Sequence, residues 1–266
     1  MSINTLSKLI IIKTFEKLIP ELPLKFEVNC TKLSEIADDL LVEYQLKRYF
    51  SLYSKHGIQI ITDDDFNKLL DGDLLYCIPS NMEFPFSQYL QDFVTLTTLG
   101  KGGFGIVQLV QHKITKEKFA LKVTNMSNSY FSANKLNELY TEAKNIKQLS
   151  HDNIIKLYNA FILHKNLFLM AEYIEGGDLA KYLKESPTLN EEEIKEILRQ
   201  IATATFHSHN HKIIHRDLKL ENILIVNKNP LQLKIIDFGL SCNQGEAHSS
   251  GTLRYLPPEV FLKSAF

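Results

Sequence analysis

Apolar residues change their spacing several times along the chain. Leu9 to Ile12 form a compact apolar cluster between Lys8 and Lys13, and Leu24 to Val28 repeat a strand-like pattern beyond a turn at Pro20-Glu21-Leu22-Pro23. From Thr31, a candidate cap, the period becomes helical through Leu33, Ile36, Ala37, Leu40, Leu41 and Tyr44. Tyr49 to Tyr53, Ile58 to Ile61 after Gly57, and Leu74 to Ile78 after Asp71-Gly72-Asp73 return to strand patterning. Asp63-Asp64-Asp65 reads as a helix cap or a solvated turn, with an interaction surface as the other option. Pro79, Asn81 and Pro85 mark an expected linker over 81–92. Alternation resumes at Phe93. Val107 to His112, Phe119 to Val123 and Leu167 to Tyr173 predict strands, and Leu136 to Leu149 predicts a helix with Leu139, Ala143, Ile146 and Leu149 on its apolar face. Asn190 is placed to cap a long helix running to about His209, with Glu191 to Glu193 in its first turn. Ile223 to Val226 and Leu233 to Ile236 predict two strands joined by a turn at Asn227 to Pro230.

Composition narrows the class. The chain has 266 residues, 44% hydrophobic and 23% charged, which fits one or two globular domains. A formal charge of -1 implies neither nucleic acid nor a membrane surface as a strong partner. No apolar run approaches the roughly 18 residues needed to cross a bilayer, and Leu9 to Ile12 is too short for a secretory signal. Cys30, Cys77 and Cys242 are odd in number and scattered, which fits a reducing, cytoplasmic setting without a disulfide framework.

The candidate chemistry lies in His215-Arg216-Asp217-Leu218-Lys219-Leu220-Glu221-Asn222, followed by the two strands and then by Asp237-Phe238-Gly239. A polar loop followed by a hairpin ending in a carboxylate can bring Asp217, Asn222 and Asp237 to one point. Two oxygen ligands beside a free carboxylate suit a hard cation such as Mg²⁺ and a proton acceptor. Upstream, Leu99-Gly100-Lys101-Gly102-Gly103-Phe104-Gly105-Ile106-Val107 spaces glycines so that backbone amides can approach phosphate oxygens. A Rossmann loop has this spacing too, but it opens a helix and is followed by an acid. Here a strand follows, and Lys122 stands where that acid would be. His207, His209 and His211 lack Cys, Asp or Glu at ligand spacing and read as packing residues.

The catalytic loop, the Asp-Phe-Gly, the glycine hairpin and the lysine together resemble the eukaryotic protein kinases. The type is serine/threonine, loosely like the calcium/calmodulin-dependent group. The resemblance implies an α+β, two-lobed fold with an antiparallel-sheet N-lobe and a helical C-lobe. It implies ATP and Mg²⁺ as cofactors and a protein hydroxyl on Ser or Thr as acceptor. By resemblance, Asp217 takes or orients the hydroxyl proton and Lys219 neutralises the γ-phosphate. Asn222 and Asp237 hold Mg²⁺, while Glu142 pairs with Lys122, with Glu138 competing for that place. Leu99, Gly100, Gly102, Gly103 and Gly105 cover the nucleotide. Val107, Ala120 and Leu224 sandwich the adenine, Glu172 and Ile174 offer main-chain groups, and Asp178 meets the ribose. Ala171 falls at the gatekeeper position and implies a roomy pocket behind the adenine. Arg216 implies control by a phosphate on Ser249, Ser250 or Thr252, with Thr252 the better candidate for a structural bond near Asp217. Leu220 departs from the family's proline, and Pro257-Pro258-Glu259 stands in place of Ala-Pro-Glu.

The family's domain continues past Phe266, so the resemblance implies a kinase domain over 93–266 that lacks its C-terminal helices. Two strands, a helix and further strands over 1–80 resemble a ubiquitin-like β-grasp module, the group that includes PB1 and doublecortin-type domains, with a protein as its partner. Three readings stand at this point: an active serine/threonine kinase, an inactive ATP-binding or scaffold fragment, and an interaction protein acting only through residues 1–90.

Overall fold

The computed structural model describes residues 8–14, 24–28, 50–80, 82–102, 105–127, 141, 143–185, 188–243 and 251–256. The expected helix over 31–44, Glu138, Glu142, Gly103, Ser249, Ser250 and Pro257 to Glu259 lie outside them. The chain divides into two compact units, residues 1–96 with 110–117, and residues 97–109 with 118–266. The first unit thus reaches past the expected boundary and takes in the start of one strand at Phe93 and the end of another at His112.

The first unit carries a five-stranded sheet of β1 (Lys8–Thr14), β2 (Leu24–Val28), β3 (Phe50–Ser54), β4 (Gln59–Ile60) and β5 (Leu74–Pro79), in the order β2-β1-β5-β3-β4. β1 runs parallel to β5, with Ile11 opposite Leu74, and antiparallel to β2. β5 is the central strand, and Leu74 to Ile78 are all buried. This is why its sequence is a continuous apolar run. On one face Ile10, Ile12, Leu52, Phe66, Leu75 and Cys77 form the core. Helix α1 (Asp63–Asn67) closes it with Phe66. The acidic run begins this helix. Thr62 accepts from the Asp65 amide, and the Asp65 carboxylate accepts from the Thr62 amide, a reciprocal cap.

The expected linker is packed. Pro85 precedes helix α2 (Phe86–Leu90), and Tyr89 and Asp92 are buried. Both prolines, Pro79 and Pro85, precede this helix, and Pro85 stands at its N-terminal cap. The aromatics of this stretch determine its burial: the Phe84 and Tyr89 rings meet Tyr76 edge-on at 5.8 and 5.5 Å. Tyr76 also anchors a buried polar chain. Ile114 and Thr115 amides donate to His112 Nδ1 at 3.3 and 3.2 Å, so Nε2 carries the proton of the neutral ring. Nε2 donates to Tyr76 Oη at 2.9 Å, Tyr76 donates to Asp92 Oδ2 at 2.9 Å, and Lys13 pairs with the same carboxylate. Burial pushes the His112 imidazole down to about 4, against the pull of Asp92.

A second sheet has the order β6-β7-β8-β10-β9, with β6 (Phe93–Gly102), β7 (Gly105–His112), β8 (Lys118–Asn125), β9 (Leu157–Leu163) and β10 (Asn166–Glu172). In the second unit, helix α3 (Leu179–Glu185) and helix α4 (Glu191–Asn210) pack on a hairpin of β12 (Ile223–Lys228) and β13 (Leu231–Ile235). Between them come β11 (Ile213–Ile214) and, after the hairpin, its antiparallel partner β14 (Cys242–Asn243). Asn190 and Glu193 cap α4 reciprocally. A buried amide network ties the hairpin to α4. Gln200 donates to Leu231 O and accepts from Asn153 Nδ2 and the Leu233 amide. Gly176 must lack a side chain because a Cβ there would lie 2.1 Å from Ile225 O.

Candidate active site

Lys122 projects from β8, whose register places it opposite Leu169 of β10. Its Nζ lies 3.2 Å from Asp237 Oδ1. Asp237 follows β13 with φ +62°, and Arg216 has φ +65°. A left-handed non-glycine backbone costs about 1–3 kcal/mol and survives only where its surroundings over-determine it. Those surroundings are visible. His215, 3% exposed, stacks edge-on against Phe238 at 4.6 Å. Its Nδ1 accepts from the Asp217 amide, so Nε2 is the nitrogen that donates to Ile236 O at 2.9 Å. Burial depresses the His215 pKa, which keeps the ring in this neutral tautomer. Arg216 Nε donates to Leu240 O at 2.5 Å, while Nη1 is buried with no partner among the described residues.

Asp217 is held on every side. Thr252 donates to Oδ1 through its hydroxyl at 2.6 Å and its amide at 3.0 Å. Lys219 Nζ lies 2.8 Å from Oδ2 and donates to Thr252 Oγ1 at 2.9 Å. Asn222 Nδ2 donates to Asp217 O and Oδ2 at 2.9 and 3.0 Å, which turns its amide oxygen outward as a ligand atom. Burial raises the Asp217 pKa, but the bonds from Lys219 and Thr252 outweigh it and hold the carboxyl below its usual range.

A cleft of about 690 Å³ opens beside these groups. Leu99, Gly100, Gly102, Gly105, Val107 and Ala120 line it above, with Lys122, Glu172, Ile174 and Asp178 along its side. Asn222, Leu224 and Asp237 line it below. Asp217 and Lys219 stand behind Asn222. The glycines divide by role. Gly105 has φ +141° and a Cβ would meet Val123 O at 2.3 Å, so the fold itself requires glycine there. A Cβ on Gly100 or Gly102 would meet nothing within 4 Å. The packing of the protein leaves that space free, as a cradle for phosphate needs. The cleft extends past Ala171 to an apolar rear wall of Ile146, Ile155, Leu157 and Leu169. The Glu172 side chain turns elsewhere, to Lys234 Nζ at 2.5 Å and the Lys156 amide at 2.7 Å. The Asp178 side chain accepts from the Lys181 amide at the start of α3.

A glycine hairpin and a strand lysine on an Asp-Phe-Gly aspartate share one cleft with Asn222, whose amide bonds the catalytic-loop aspartate outside the lining. A family model described as protein kinase domain matches residues 93–265. The chain belongs to the protein kinase family. It is 36% identical over 166 residues to serine/threonine-protein kinase SIK1 of Mus musculus and to that of Rattus norvegicus. The aligned part is 62% of this chain and 21% of each of those proteins. It is 34% identical over 166 residues to serine/threonine-protein kinase SIK2 of Gallus gallus, with the same shares covered. The chain therefore spans about a fifth of the length of these relatives. The kinase domain carries the β-sheet and helical elements of the two-lobed fold. Among the polar contacts that sequence reading missed, Asn145 Nδ2 donates to Ser241 Oγ at 3.0 Å. No local spacing announces a pair 96 residues apart. No helix among the described residues is long and apolar enough to cross a membrane.

Proposed function

We propose that this chain transfers the γ-phosphate of ATP to a serine or threonine hydroxyl of a protein. The observation that carries the reading is the convergence of Lys122, Asp237 and Asn222 on one cleft under Gly100 and Gly102, with Asp217 bonded to Asn222. Lys122 neutralises the α and β phosphates. Val107, Ala120 and Leu224 flank the adenine, the main chain of Glu172 and Ile174 meets its edge, and Asp178 meets the ribose. The oxygens of Asn222 and Asp237 are a hard donor set that fits Mg²⁺, which supplies charge neutralisation between phosphate groups when bound. Asp217, ionised by its bonds, is a weak base. That suits a loose transition state, in which the acceptor hydroxyl needs orientation more than early deprotonation. Lys219, 2.8 Å from Asp217, is placed to offset charge on the transferred group. Glu142 remains the proposed partner that fixes Lys122, and Gly103 the remaining glycine of the flap. Arg216 Nη1, buried without a partner among the described residues, supports a phosphate on Ser249 or Ser250 as its counter-ion, since Thr252 is already committed to Asp217.

The strand order β2-β1-β5-β3-β4, with β1 parallel to β5, supports a β-grasp reading of the first unit, with a protein as its ligand. A cytoplasmic setting fits the odd number and scattered placement of Cys30, Cys77 and Cys242. The deciding experiment measures Mg-ATP-dependent thermal stabilisation of this chain and ³²P transfer to a generic protein substrate. Stabilisation with transfer is expected. Stabilisation without transfer overturns catalysis by this chain, and no response to nucleotide overturns the site.

A further inference from the structure

Asn145 is 2% exposed and Ser241 8% exposed, and the Asn145 amide donates to the Ser241 hydroxyl at 3.0 Å. Asn145 lies on the helix at 143–148, one residue before Ile146. Ile146 and Phe238 share one buried cluster with Leu149, Ile235 and Ile213. Ser241 closes the turn after Asp237-Phe238-Gly239, its amide donating to Phe238 O at 2.9 Å. Aliphatic contact alone is non-directional and would tolerate sliding of this segment along the helix. A buried amide–hydroxyl bond does not, because displacing it strands two polar groups away from water.

The strained backbone at Asp237 makes this matter. The segment is restrained from below by His215 on Phe238 and Ile236 O, and by Arg216 on Leu240 O. From the helix at 143–148 Asn145 adds a hydrogen bond to it. We propose that Asn145 and Ser241 are a positioning pair, a latch that holds the Asp237-Phe238-Gly239 turn against this helix so that Asp237 faces Lys122. Neither residue touches the reacting atoms. The latch itself stands on the geometry of the pair; its consequence for Mg²⁺ and ATP rests on the function proposed above.

The test uses the full chain, with Asn145→Leu, Ser241→Ala and the double variant, followed by hydrogen exchange without nucleotide. The amides of residues 238–242 are expected to exchange about fivefold faster in each single variant, the size of one lost hydrogen bond. The double variant is expected to exceed neither, because both changes break the same bond. Exchange in the β12–β13 hairpin stays constant, which a general loss of stability would not allow. With ATP present, the Mg²⁺ concentration giving half-maximal protection rises by a similar factor. Unchanged exchange at 238–242, additive single effects, or equal acceleration in the hairpin overturns the latch. If Asn145→Leu does not fold, Ser241→Ala, which removes one small hydroxyl, decides alone. A wild-type chain without ATP-dependent protection overturns the proposed function, and the nucleotide-free exchange still decides the latch.

Discussion

Two buried polar clusters of this protein use the same chemistry and reach opposite ends. In the first unit, Tyr76, Asp92 and His112 are 0%, 6% and 1% exposed; in the second, Asp217, Asn222 and His215 are 6%, 6% and 3% exposed. Each has a carboxylate, a neutral imidazole and a lysine. In the first, the Asp92 oxygens end on Tyr76 and Lys13, so the chain of bonds closes on protein. In the second, the bonds run to the edge of the cleft. Asn222 and Asp237 line that cleft, and the Asp237 side chain is 45% exposed. Burial of charge therefore does not by itself distinguish a structural network from a reactive one; access to a cavity does.

The sharpest break between the clusters is Asp217→Ala. Phosphoryl transfer is expected to fall about 10³-fold, while Mg-ATP still raises the melting temperature. Transfer near the wild-type rate would place this cluster in the same structural role as the other.

Acid separates them next. Burial holds the folded-state pKa of His112 at about 4, below its ordinary value of 6.5. Its contribution is whole above the unfolded pKa and is lost as pH falls toward the folded one, by roughly 3 kcal/mol. His215 is depressed in the same sense. Asp217, also depressed, loses its contribution only below the ordinary carboxylate range. Urea unfolding across this range should show the loss from both imidazoles, and His112→Gln should remove the first cluster's share of roughly 3 kcal/mol. An unaltered slope in that variant would assign the loss to other groups.

Tyr76→Phe follows in size. It removes the bonds of Tyr76 to Asp92 and His112, leaves His112 Nε2 without that acceptor and should cost about 2 kcal/mol of stability. Transfer by the folded fraction should stay constant, and a selective fall in kcat would make the first cluster part of the catalytic apparatus. The smallest effect belongs to Ala171→Met. Filling the rear of the cleft should weaken ATP-competitive inhibitors with a bulky group aimed there by about tenfold or more. Unchanged inhibition constants would show that the rear wall of Ile146, Ile155 and Leu169 is not reached.

Much of the site was readable before its geometry. Asp217, Asn222 and Asp237 carry their meaning in spacing along a loop and hairpin, and the structure places their side chains or partners around one cleft. The cap at Asn190 was legible because its partner Glu193 lies three residues away, whereas at Asp63 to Asp65 the sequence suggested a cap or a solvated turn and the structure supplies Thr62 as the capping residue. The segment 81–92 was harder. Prolines argued for a spacer, while Phe84 and Tyr89 bury it only because β5 offers Tyr76 at the right height. The glycines looked alike in sequence. Only Val123 O and Ile225 O distinguish Gly105 and Gly176, which the fold requires, from Gly100 and Gly102, which face open space.

Short-range chemistry was written in the chain: strand alternation, helix caps and the order of the catalytic segments depend on residues a few positions apart. Pairings across long loops were settled by the folded core alone. Lys122 meets Asp237 across 115 residues, and Asn145 meets Ser241 across 96. The entropy of closing such loops is offset by the burial of many apolar side chains together, so no local pattern names the partner.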